Sequence, residues 1–112
     1  MRLSRREAGG VTVVDVDGGA DHGSSLVELV AGLLDDGVRR LVLNLRSHSL
    51  DSNALGQATG CWLKTKHRGG VLKIATRQPK VWELVRTLKL DRVVECYRSE
   101  EEAVDSFEPS SS

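Results

Sequence analysis

The stretch "RLVLNLRSHSLDSNALGQATGCWLKTKHRGGVLKIAT", Arg40 to Thr76, decides the fold. It opens on a short, apolar, partly β-branched run, Arg40 to Leu45, as expected of a buried strand. It closes on a second such run, Val71 to Thr76. Between them, Ser52 to Arg68 carries apolar residues at helical spacing and stops at Gly69-Gly70. Strands that alternate with helices indicate an α/β domain whose central strands are mostly parallel.

Working outward, "RLSRRE" and "VTVVDVDG" flank Gly9-Gly10, which predicts an antiparallel hairpin with strands near Arg2 to Glu7 and Val11 to Asp17. From Ser24 to Asp36, Leu26, Val27, Val30, Leu33 and Leu34 recur at helical spacing before Gly37. Beyond Thr76, Pro79 suits the first turn of a helix that carries Val81, Leu84, Val85 and Leu88. "RVVECY" then reads as a last strand, and Ser99 with three acidic residues after it as the cap and first turn of a short helix. The sum is a mixed, mostly parallel sheet of about five strands with an N-terminal antiparallel hairpin and about four helices, in one domain over residues 1–107. "EPSSS", residues 108–112, reads as a frayed, disordered tail. Leu26, Val30, Leu33, Leu55, Trp62, Val81, Leu84 and Leu88 are the expected core.

Composition excludes several classes of function. The 112 residues suit a single core. Sixteen Lys and Arg balance sixteen Asp and Glu, so no global field draws in nucleic acid or an anionic membrane. No run is long enough to insert in a bilayer, and the basic N-terminus lacks the apolar segment of a signal peptide, which points to a cytoplasmic protein. Cys61 and Cys96 share no C-x-x-C spacing, so packed, reduced thiols are expected. His22, His48 and His67 lack metal-ligand spacing, and the glycine pairs form no phosphate-cradling loop. No nucleophile elbow surrounds Ser52. Neither catalytic residues, nor a metal, nor a cofactor is expected.

The informative element is the helix from Ser52. At 3.6 residues per turn, Leu55, Ala58, Cys61, Trp62 and Thr65 share one side, and Ser52, Gly56, Gly60 and Leu63 fall opposite. A glycine inside a helix costs about 1 kcal/mol relative to alanine. Two of them beside an outward Leu63 suggest a shallow groove that another backbone approaches closely; the alternative is two tolerated defects and a lone surface leucine. Asp51-Ser52 opens this helix, and both residue types are preferred caps. Trp82, at the border of the next helix's apolar stripe, either extends a partner surface or packs against the sheet edge.

Leu43-Asn44-Leu45, then Asp51-Ser52-Asn53-Ala54-Leu55-Gly56, Gly69-Gly70, Pro79-Lys80-Val81 and Ser99-Glu100-Glu101-Glu102-Ala103 occur in an order and spacing that resembles the STAS domain, and more narrowly the bacterial anti-sigma factor antagonists. The resemblance spans about Val11 to Phe107. It implies a regulatory module, not an enzyme, that acts on sigma-factor-dependent transcription by partner switching. It implies Ser52 as the phosphoacceptor of a serine kinase-type anti-sigma factor, Asp51 as its acidic neighbour, and a phosphatase that resets the switch. The partner surface would then comprise Asp51, Ser52, Asn53, Gly56, Gly60, Leu63 and Trp82. A STAS scaffold or transporter-associated subunit without phosphorylation is the alternative. The chain departs from the common pattern in having one residue fewer between Leu45 and Asp51, in Asn53 and Ala54 within the motif, and in Lys89 where relatives often carry glycine.

Overall fold

Gly9 and Gly10 both adopt positive φ, 58° and 81°, the combination a two-residue hairpin turn needs to match the twist of its strands. They join β1 (Arg2–Ala8) to β2 (Val11–Asp17) in the computed structural model, which describes residues 2–17, 25–47, 50 and 52–107. There follow α1 (Leu26–Asp35), β3 (Arg40–Leu45), α2 (Ser52–His67), β4 (Val71–Thr76), α3 (Pro79–Thr87), a 3-10 turn (Leu90–Arg92), β5 (Cys96–Tyr97) and α4 (Glu100–Asp105). The sheet order is β1-β2-β3-β4-β5, with β1 antiparallel to β2 and every other pair parallel. This is the mixed, mostly parallel α/β architecture expected from the sequence.

Side-chain alternation divides the core in two. Val14, Val16, Leu41, Leu43, Leu45, Leu72 and Ile74 pack with buried residues of α1, α2 and α3. Val11, Val13, Val42 and Ala75 form a smaller cluster with Ala103, against which Val104 and Phe107 pack. Central strands covered on both faces are apolar at nearly every position, which is why the runs at Arg40 and Val71 were legible as strands. Ser25 caps α1 by accepting from the Glu28 amide at 3.3 Å, and Ser99 caps α4 by accepting from the Glu102 amide at 3.1 Å.

The last strand and three of the expected core residues differ from the sequence reading. "RVVECY" contributes only Cys96–Tyr97 to the sheet. Lys89 takes a left-handed conformation, φ 57°, and the following residues turn through the 3-10 segment, closed by the Val94 amide donating to the Leu90 carbonyl at 2.9 Å. Leu88 therefore sits at the end of α3, 48% exposed, and Leu90 enters the core instead. Trp62 and Leu84 are partly buried at the margin of the core rather than within it. Leu26, Val30, Leu33, Leu55 and Val81 are buried as expected.

Two tight contacts set the layers. Gly70 follows α2 so closely against β3 that a Cβ there would lie 2.7 Å from the Arg39 carbonyl oxygen and 3.0 Å from Thr65 Cγ2. On the other face, Arg6 donates to both Asp15 oxygens, at 2.8 and 2.9 Å, and to both carboxylate oxygens of Glu100. Asn44 Nδ2 adds a bond to Asp15 Oδ1 at 2.9 Å. The cluster joins β1, β2 and β3 to the start of α4. Lys73, almost wholly buried, fastens the other end: its Nζ donates to Ser106 Oγ at 2.8 Å and lies 4.4 Å from the centre of the Phe107 ring.

Hydrogen bonds from Arg6 hold the Asp15 carboxyl below the ordinary carboxylate range, against the opposing effect of burial. A depressed folded-state value stabilises the protein above the unfolded value of about 3.9 and is lost as pH falls through the folded value. Asp15→Asn should cost roughly 1–3 kcal/mol at neutral pH and flatten the loss of stability seen in wild type below about pH 4, as read by denaturant unfolding across pH. The left-handed Lys89 supplies a second expectation. A non-glycine residue in that conformation costs about 1–2 kcal/mol, so Lys89→Gly should stabilise the fold by roughly 1 kcal/mol despite glycine's greater unfolded-state entropy. Calorimetry should show the melting temperature raised by about 4–8 °C.

Candidate functional site

α2 lies on the sheet through Ala54, Leu55, Ala58, Cys61 and Thr65, all buried. Thr65 folds its hydroxyl back to the Cys61 carbonyl at 2.8 Å, so this polar residue is accommodated on the buried side. α1 runs alongside in the same direction. The Leu26 amide donates to Gln57 Oε1 at 3.3 Å near the start of the pair, and Arg68 Nη1 donates to Asp35 Oδ1 at 3.0 Å near its end. With one side of α2 on the sheet and one flank on α1, the remaining stripe faces outward.

That stripe carries Ser52, Asn53, Gly56 and Leu63, all exposed. Ser52 opens the helix, so a group on its hydroxyl projects beside backbone amides that lack intrahelical acceptors. The space outside Gly56 is open, with no described atom within 4 Å of a Cβ built there. Leu63 is 46% exposed. Gly60 departs from the expected outer stripe: a Cβ on it would meet Val27 Cγ2 of α1 at 3.6 Å, an ordinary contact distance. It belongs to the α1–α2 contact and leaves Gly56 as the glycine on the open surface. Asp51, His48 and His22 lie outside the described residues.

Trp82 is partly buried, and its polar edge is used internally. The indole N–H donates to the Thr76 carbonyl at 2.8 Å, and the Arg98 guanidinium stacks 4.9 Å from the ring centre. It packs against the carboxyl end of β4 and is not part of the α2 stripe. Both thiols are free, and burial pushes each up to about 12, with Asp91 adding to the effect on Cys96. At those values they are packed groups rather than nucleophiles. Among the described residues, no group of three or more His, Cys, Asp or Glu comes together in a way that could hold a metal, and His67 sits exposed in the last turn of α2.

One polar concavity escaped the sequence reading. A cleft of about 350 Å³ at the carboxyl ends of β3 and β4 is lined by Arg6, Asn44, Arg46, Arg77, Gln78 and Glu100, among others. Its charges are largely spent on one another, Arg6 on Asp15 and Glu100, Arg46 on Asp17 at 3.5 Å, Arg77 on Glu101 at 3.4 Å. The only signal in the sequence was Asp15 interrupting the apolar run of β2. The cleft is the rim of the clamp on α4, whereas the α2 stripe is a surface with little internal use.

The fold has counterparts among solved structures. The STAS domain family matches residues 2–103. A crystal structure of an anti-sigma factor antagonist from Mycobacterium paratuberculosis superposes with a TM-score of 0.80 at 21% identity, covering 94% of this chain and 92% of that one. The NMR structure of the protein TM1081 superposes with a TM-score of 0.72 at 19% identity, over 94% and 87% of the two chains. Comparison with curated protein sequences finds no match. With the matched region running from β1 into α4, the chain belongs to the STAS domain family.

Proposed function

We propose that this domain is a cytoplasmic anti-sigma factor antagonist that binds a kinase-type anti-sigma factor along the outer face of α2 and is switched off by phosphorylation of Ser52. The observation that carries the proposal is the exposed hydroxyl of Ser52 at the first turn of α2, on the same stripe as Gly56 and Leu63, in a STAS domain. The similar fold of a protein described as an anti-sigma factor antagonist supports it.

The chemistry follows from the position. A phosphate on Ser52 adds about 1.5–2 negative charges at neutral pH. The first-turn amides and the helix dipole receive that charge without unfolding the domain. A partner docked on the stripe would instead meet a hydrated dianion, and desolvating it at an interface is costly. Asp51 and Asn53 flank the acceptor and complete what the kinase would recognise; a phosphatase would restore the binding form. In the unmodified state the antagonist occupies the anti-sigma factor and leaves the sigma factor free.

Incubation with ATP and the anti-sigma kinase encoded nearest to its gene should place one phosphate on the peptide containing Ser52, read by mass spectrometry. Ser52→Ala should resist modification and still bind, losing about 0.5–2 kcal/mol of stability if the hydroxyl also caps α2. Ser52→Asp should keep the fold and lose binding by roughly tenfold or more. Absence of phosphate together with full binding by the Asp variant would replace the switch with a non-phosphorylated scaffold or transporter-associated subunit.

A further inference from the structure

We infer that the C-terminal half of the α2 outer face, with the groove between α1 and α2, docks an acidic, amphipathic segment of the protein partner. Only the partner's identity rests on the antagonist reading above. The groove has a volume of about 280 Å³ and is lined by Ala31, Leu34, Lys64, His67 and Arg68. Its α1 side is aliphatic and its α2 side cationic or imidazole-bearing. Leu63 stands exposed on the neighbouring stripe, so the surface offers an apolar centre within a basic rim.

The charge is one-sided. α2 contains no Asp or Glu, while Lys64, Lys66 and His67 occupy its last turn and Arg68 follows. Arg68 is paired with Asp35, and Lys66 lies 4.9 Å from the centre of the Trp62 ring. The side chains of Lys64 and His67 make no hydrogen bond or ion pair with any described residue, and both residues are exposed. Basic residues at a helix C-terminus offset the helix dipole, which accounts for their sign. It does not account for an aliphatic groove and an exposed leucine in their midst. Lys64 and Arg68 stand one turn apart, about 6 Å along the axis, a spacing that carboxylates one turn apart on a partner helix would match. An apolar side chain between those carboxylates would enter the groove against Ala31 and Leu34.

This docking point is separate from the switch. Leu63 lies about 16 Å along the axis from Ser52, roughly two Debye lengths at physiological ionic strength. A phosphate on Ser52 is therefore not neutralised by the basic rim. The partner is attracted at one end of α2 and rejected at the other, and the two effects should be nearly additive.

The test measures binding of the full-length protein to the same anti-sigma kinase by calorimetry, at about 50 mM and about 300 mM salt. Lys64→Glu combined with His67→Glu should weaken binding by roughly tenfold or more at low salt and less at high salt, with the fold kept and the melting temperature lowered by no more than the lost helix-dipole interactions require. Lys64→Gln should give a smaller loss in the same direction, which keeps the test decisive if the double variant folds poorly. Lys80→Glu, the same charge reversal as Lys64→Glu but on the exposed start of α3, should alter affinity less than about twofold. Binding by the Lys64 and His67 variants within about twofold of wild type would overturn this docking site and leave the Ser52 switch standing. No binding by wild type would overturn both.

Discussion

The rotational setting of α2 about its own axis is the constraint on which the candidate site depends. The helix meets the sheet through small or medium side chains, Ala54, Leu55, Ala58, Cys61 and Thr65, and so sits close to the strands. Gly70 then turns the chain against the Arg39 carbonyl with no room for a side chain. Rotation by one residue, 100°, would bury Ser52 or Lys64 and expel Leu55 or Ala58. The outward stripe of Ser52, Gly56 and Leu63 is thus a consequence of how the inner stripe is packed.

The clamp on the opposite face serves the fold. Arg6, Asp15, Asn44 and Glu100 tie the start of α4 to the sheet, and Lys73 with Ser106 and Phe107 ties its end. Those charges are consumed internally, so the second face is closed with little left over for a partner. On the α1–α2 side the balance is reversed. Exposed polar and basic groups there carry few internal bonds, and their replacement should leave the core intact.

Much of the fold was legible in the sequence, for a physical reason. Strands buried on both faces cannot hide their apolar runs, and the α2 stripe has a period of 3.6 regardless of context. The hairpin was equally plain from Gly9-Gly10. What eluded the sequence depended on tertiary geometry. Lys89 sits where a glycine would signal the left-handed turn, so no residue of this chain marked the end of α3 by itself, and "RVVECY" looked like a full strand although the chain spends half of it on a turn. Gly60 falls near the edge of the outer stripe on a helical wheel, and only the placement of α1 assigns it to Val27. The Arg6–Asp15–Glu100 cluster joins residues from opposite ends of the chain, and no local pattern encodes such a contact. Trp82 was ambiguous because its indole had two plausible uses, and the sequence gives no sign that its N–H donates to the Thr76 carbonyl.

On the proposal that the outer face of α2 is kept for a partner rather than for the fold, Gly56 is the residue to change. The residue is exposed and helical, with open space where a side chain would go. Gly56→Ala should therefore raise stability by about 0.5–1 kcal/mol, because alanine restricts the unfolded chain and favours the helix. The same methyl group should hinder close approach of a partner backbone and weaken binding to the proposed anti-sigma factor partner by roughly tenfold, as measured by calorimetry on the two purified proteins. Higher stability with lower affinity is the expected result. Higher stability with unchanged affinity would show that the glycine is a tolerated defect and that the partner binds elsewhere.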